Sequence, residues 1–168
     1  MSRLIKSGLV SLALLLLAAA PAAAQTEIAG GFTSLTWNGC CAKGFAADVN
    51  FNVRGEQRDA SALAVVVDFG VNRWPQHEWD TFVTGGLRWK MARRGRLMVF
   101  AQAEAGFAKW NEDAGFHGSG LLVGGGAGVD IRIDDASSVK GQFDVWSYPT
   151  DSDILTRLYF AYVRRLGK

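Results

Sequence analysis

The spacing with most chemical promise is His117-Gly118-Ser119. On an extended strand, residues two apart share a face. The pair would therefore set a hydroxyl nucleophile beside an imidazole base, the first two members of an acyl-transfer constellation. A third member must orient the base, and the nearest downstream acid in a strand is Asp130. The remaining soft or nucleophilic groups are Cys40, Cys41 and His77. Cysteine and histidine are the preferred zinc ligands, but no ligand-spacing motif joins these residues. Adjacent cysteines close only a strained ring with each other. With no third cysteine in the chain, the choices are a vicinal disulfide stapling a loop, free thiols, or a bridge to another molecule. Asp134-Asp135 fall in a turn pattern and suggest no paired-carboxylate chemistry. The run Gly124-Gly125-Gly126-Ala127-Gly128 lacks the following helix that a phosphate or dinucleotide loop needs. No catalytic, cofactor or metal site is expected, and His117 with Ser119 is the alternative site.

A second set of residues recurs too regularly to be scattered. Asp48, Asp68, Arg88, Glu104, Asp130, Lys140, Asp144 and Arg157 each stand in mid-segment, on the polar side of a period-two alternation. Phe45, Ala47, Val49, Phe51 and Val53 oppose Ala46, Asp48, Asn50, Asn52 and Arg54. Leu63, Val65, Val67, Phe69 and Val71 repeat the pattern. Comparable stretches run through Val83 to Lys90, Leu97 to Phe107, Leu121 to Arg132, Val139 to Val145 and Arg157 to Val163. The stretch 27–37 alternates poorly, because Phe32 and Leu35 fall on opposite faces. This predicts about eight strands and no helix.

Strands of 9 to 12 residues match the ~9 to 11 that a tilted membrane-spanning strand needs. An even number of antiparallel strands closes without a free edge. The breaks 38–43, 72–80, 109–119 and 147–154 read as longer loops at one end, against mostly short turns at the other, which is the outer-membrane pattern. Alternation alone also fits a soluble periplasmic ligand-binding barrel with its apolar face inside. Mid-strand charges mixed with glycine and alanine favour a narrow, charge-paired interior instead. Its acids Asp48, Asp68, Glu104, Asp130 and Asp144 face the bases Arg54, Arg88, Lys90, Arg132, Lys140 and Arg157, too crowded for a wide pore. Trp37, Trp74, Trp79, Trp110, Trp146 and Tyr148 cluster near the longer loops, where interfacial aromatics belong. Trp74, Trp79, Trp110 and Phe116 among charges would suit those loops to lipid headgroups or a protein partner.

Arg3 and Lys6 precede an apolar run from Leu9 to Ala20 and the small-residue ending Pro21-Ala22-Ala23-Ala24. That is the form of a cleaved secretory signal, 1–24, leaving a barrel domain at 25–168. The formal charge of +2 resides in that signal, since Lys and Arg total 18 against 16 Asp and Glu. Without a basic excess there is no footprint for nucleic acid.

The chain resembles the small eight-stranded outer-membrane β-barrel proteins in Glu27-Ile28-Ala29-Gly30-Gly31-Phe32, Gly124 to Arg132, Gln142-Phe143-Asp144-Val145 and Leu158-Tyr159-Phe160-Ala161-Tyr162-Val163. The resemblance implies an all-β, single up-and-down antiparallel transmembrane barrel in the outer membrane, in contact with its lipid. The role expected is structural or surface-interacting, because no catalytic constellation is complete, and eight strands leave no room for a wide pore. Chains of that family usually end in an aromatic, whereas this one ends Arg164-Arg165-Leu166-Gly167-Lys168. The His117-x-Ser119 pair is similar to that of outer-membrane lipid A deacylases, which implies the alternative of a lipid-modifying hydrolase. Gly120 here stands where those enzymes carry an asparagine, and Asp130 replaces a glutamate expected slightly later.

Overall fold

The computed structural model describes residues 26–54, 61–75, 78–111, 117–149 and 153–166. The expected signal segment, His77 and Phe116 lie outside them. Every element among the described residues is a strand: β1 (Thr26–Trp37), β2 (Cys40–Arg54), β3 (Leu63–Arg73), β4 (Trp79–Arg94), β5 (Leu97–Asn111), β6 (His117–Arg132), β7 (Ser137–Tyr148) and β8 (Asp153–Leu166). Each pairs antiparallel with its neighbours in sequence, and β8 returns to pair with β1, closing an up-and-down barrel. The ladder therefore has no unpaired edge. One end, the terminal end, carries both termini of the barrel and the β2–β3, β4–β5 and β6–β7 connections. The far end carries the other four.

Apolar faces point outward. Phe32, Phe45, Phe69, Val83, Leu87, Trp89, Phe107, Phe143, Leu158 and Phe160 are all exposed on the wall, and their non-glycine strand neighbours point into the barrel and are buried. The soluble arrangement, apolar face inside, is thus not the one adopted. Phe32 on the wall and Leu35 in the interior explain why β1 alternates poorly: its interior face meets an apolar layer at the far end, made with Ala42, Phe82, Leu122, Trp146, Leu155 and Tyr159.

Two expectations are corrected. The breaks read as long loops shrink to 38–39, 74–78, 112–116 and 149–152, while the longest connection, 55–62, is at the terminal end. Strands of 11 to 16 residues continue past the apolar belt, because the backbone ladder pairs Asn72 with Asp80 and Lys109 with Ser119 as readily as apolar residues. The turn at Asn38-Gly39 has φ of 48° and 80°, the two positive values of a tight hairpin turn. Cys40 and Cys41 consequently sit in β2 opposite Trp37 and Thr36, on opposite faces of the strand. Both thiols are free and exposed, so no local staple is present.

The aromatic girdle is also corrected. Of the six aromatics, Trp79 is exposed on the wall, whereas Trp37 lies on the inward face of β1 and is exposed at the rim, edge-on to Trp74 at 6.3 Å. Trp146 is buried, Trp74 and Tyr148 pack onto the interior cluster, and Trp110 meets Tyr148 edge-on at 5.6 Å. Glycine makes room for the inward rings. Gly70 is the direct cross-strand partner of Phe82, and Gly128 that of Phe100. A side chain at either would collide with the ring opposite. Gly128→Leu is expected to lower stability by about 1–3 kcal/mol through overpacking. Val123→Leu on the outer wall should leave the urea midpoint of the refolded barrel almost unchanged.

Candidate functional site

The barrel interior holds three layers, and the middle one is ionic. Arg157, on β8, is fully buried. Its Nε donates to Asp144 Oδ2 at 2.7 Å, and its Nη2 donates to Asp68 Oδ2 at 2.6 Å, so it reaches its register partner on β7 and then crosses to β3. Trp146 covers the guanidinium at 4.3 Å, with Phe82 and Tyr159 each at 5.2 Å from it. A planar cation that bonds in its plane and stacks above it suits this position better than an ammonium.

Arg88, on β4, anchors the other half. Its Nε and Nη2 donate to Gln102 Oε1 at 2.8 and 2.6 Å, Nη2 also to Gln142 Oε1 at 3.1 Å, and Nη1 to Asp48 Oδ1 at 3.4 Å. Lys140 forms an ion pair with Asp48, and Asn50 Nδ2 donates to the same carboxylate at 2.7 Å. The two halves meet through amides: Gln102 Nε2 donates to Glu104 Oε1 at 2.8 Å, and Gln142 Nε2 to Asp144 Oδ2 at 2.9 Å. Thr84 completes Glu104 at 3.0 Å. Asp48 and Asp68 are direct cross-strand partners, a like-charge juxtaposition that costs stability unless each has its own cation. Asp48 takes Lys140 and Arg88, and Asp68 takes Arg157.

The structure thus brings seven of the eight mid-strand charges into one bonded layer, and places the eighth, Asp130, nearer the terminal end. Lys90 and Arg132 lie beside Asp130, while Arg54 is the last residue of β2. Residues not singled out in the sequence complete the interior. Glu27 accepts from Lys90 Nζ at 3.3 Å and from Arg165 Nε at 3.3 Å. Gln102 and Gln142 stand on the polar alternation already recognised, and that position was the available signal. Glu27 gave none, because β1 alternates poorly. At the far end, Asn72 Nδ2 and Trp74 Nε1 donate to the buried Asp80 at 2.7 and 2.8 Å. In the 133–136 turn, the amide of Ala136 donates to Asp134 at 2.7 Å and holds that exposed carboxyl below its ordinary range.

The alternative site does not assemble with Asp130. Ser119 is exposed on the wall near the far end of β6, whereas Asp130 points inward near its other end. At ~3.3 Å per residue, the two are about 36 Å apart. His117 opens β6 opposite Asn111. Among the described residues, no three His, Cys, Asp or Glu side chains cluster to hold a metal ion.

No family model matches the sequence, and no curated protein matches it. Solved structures do. The neisserial surface protein A superposes with a TM-score of 0.61 at 12% identity, covering 85% of this chain and 96% of that one. The attachment invasion locus protein Ail of Yersinia pestis gives 0.58 at 13%, covering 85% and 99%. The N-terminal β-barrel domain of Pseudomonas aeruginosa OprF gives 0.57 at 13%, covering 83% and 96%. At this identity the likeness is one of fold: the chain has the fold of the small eight-stranded outer-membrane β-barrels.

The ion pairs set a testable cost. Arg157→Met keeps comparable bulk but leaves Asp68 and Asp144 buried without their guanidinium. Urea unfolding of the refolded protein is expected to show a loss of about 3–5 kcal/mol. Arg157→Lys should recover only part of it, because a point charge cannot bridge both carboxylates.

Proposed function

We propose that the chain is exported, loses residues 1–24, and inserts 26–166 as a barrel in the outer membrane with both termini in the periplasm. Its role is that of a structural or surface-contact protein, neither a pore nor an enzyme. One observation carries this reading: the wall is apolar around the whole circumference while the charged interior is filled by its own side chains. Phe32 at 67% and Phe45 at 63% exposure, with rings 4.8 Å apart, are typical of that wall. An all-round apolar exterior is stable in lipid and a liability in water. Bonded side chains crossing the lumen from β2 and β3 to β7 and β8 support the absence of an open channel.

Among the described residues, the surface available to a partner lies on the strand ends. At the far end the wall presents Lys43, Arg73, Trp79 and Lys109, with Arg73 over the Trp79 ring at 5.5 Å and Trp37 exposed at the rim. Cations and indoles directly above an apolar belt suit anionic headgroups or a protein bound at the membrane surface. One structure of Ail, similar in fold, holds the heparin analogue sucrose octasulfate, which supports a surface-contact role by analogy. The separation of Ser119 from Asp130 argues against the deacylase-like alternative, since the acid that the resemblance would assign does not accompany the serine.

Ala103 stands on the outer wall midway along β5. In phospholipid vesicles, Ala103→Arg is expected to cost about 2–4 kcal/mol of folding free energy. Mature protein that is monodisperse and folded without detergent or lipid would overturn the membrane reading. Deacylation of lipopolysaccharide, seen by mass spectrometry and lost in Ser119→Ala, would overturn the non-enzymatic one.

A further inference from the structure

The terminal end of the barrel opens into a cleft whose composition differs from the layers above it. Lys90, Arg93, Arg96, Arg132 and Arg165 line it, against two carboxylates, Glu27 and Asp130. Glu27 is already bonded to Lys90 and Arg165. Arg93 and Arg96, in and beside the β4–β5 turn, are exposed at the rim, and Arg132 is half-buried below them. Among the described residues the cleft therefore carries an excess of positive charge, set against a packed barrel interior that strengthens its field.

Two buried polar atoms at this cleft have no partner among the described residues. One is a donor, Arg165 Nη1, whose sister atoms are held by Glu27 and by Ser138 at 3.2 Å. The other is an acceptor, Asp130 Oδ1, on a side chain only 4% exposed. Buried groups of this kind cost stability unless something bonds them. A bare oxyanion would satisfy the arginine and be repelled by the aspartate. An oxyanion that also carries an X–H donor would satisfy both.

We infer that the terminal-end cleft is a binding site for a phosphate group bearing a hydrogen-bond donor. Arg96, Arg132 and Arg165 take the phosphate oxygens, and Asp130 accepts the donor's proton-bearing group. Two sources share this chemistry: hydrogen phosphate, through its P–OH, and a phosphoethanolamine headgroup, through its ammonium. The site stands on the barrel geometry alone, and only the lipid source rests on the membrane reading.

The test is calorimetric titration of the refolded full-length protein in an uncharged sugar detergent at constant ionic strength, with folding of each variant checked by circular dichroism. Inorganic phosphate is expected to bind saturably and at least about tenfold more tightly than sulfate, which has no proton to donate at neutral pH. Arg132→Gln should weaken phosphate binding about tenfold, and Asp130→Asn should abolish the preference over sulfate. Val123→Leu, on the outer wall, should change neither. Competition by dihexanoyl phosphatidylethanolamine but not by dihexanoyl phosphatidylcholine would support the headgroup as source. Phosphate binding without such competition would support the free ion. Absence of saturable phosphate binding, equal affinity for sulfate in the unmodified protein, or an equal loss in Val123→Leu would overturn the proposal.

Discussion

The buried guanidinium of Arg157 is the interaction on which the interior depends. It is the junction between an ionic middle and an aromatic far end, bonding Asp68 and Asp144 in its plane while Trp146 lies over its face. Desolvating such a cation is costly, and a pair of carboxylates with good geometry is what offsets it. Every neighbouring choice follows from that. Trp146 must be inside to cover the cation, Gly124 opposite it must be small to admit the ring, and Asp48 must find other cations because Arg157 is occupied.

Most of the architecture was legible in the sequence, for a physical reason. A barrel wall between lipid and packed interior imposes a strict period of two, and β2, β3, β5 and β8 carry it nearly unbroken. The charges at Asp48, Asp68, Arg88, Lys140, Asp144 and Arg157 could be assigned inward because they shared one face with glycine and alanine. Their partners could not be read, since Arg157 to Asp68 spans strands β8 and β3, and no local pattern encodes a contact across the lumen.

The misreadings have a common origin. Polar residues and tryptophans near strand ends read as loops and interfacial anchors, yet Asn72, Asp80, Trp110 and Trp146 are strand residues facing inward. Hydrophobic alternation reports the belt that excludes water, whereas hydrogen-bonded pairing continues wherever the backbone can form it. Gly128 opposite Phe100 and Gly70 opposite Phe82 hint at this in retrospect: a large ring needs a gap on the adjoining strand, so glycine in mid-strand marks where an aromatic turns inward.

The cross-lumen bonds also dictate how the sheet comes together. Asp68 belongs to β3, Asp144 to β7 and Glu27 to β1, yet the guanidinium groups that reach them, Arg157 and Arg165, are both carried by β8, the strand that closes the barrel. Any partly built sheet lacking β8 holds these carboxylates without those partners, and is penalised for each. Sheets without β8 are thereby disfavoured, because one strand supplies both the backbone pairing that β1 needs and the guanidinium groups that these carboxylates need, so edge closure and charge compensation are coupled.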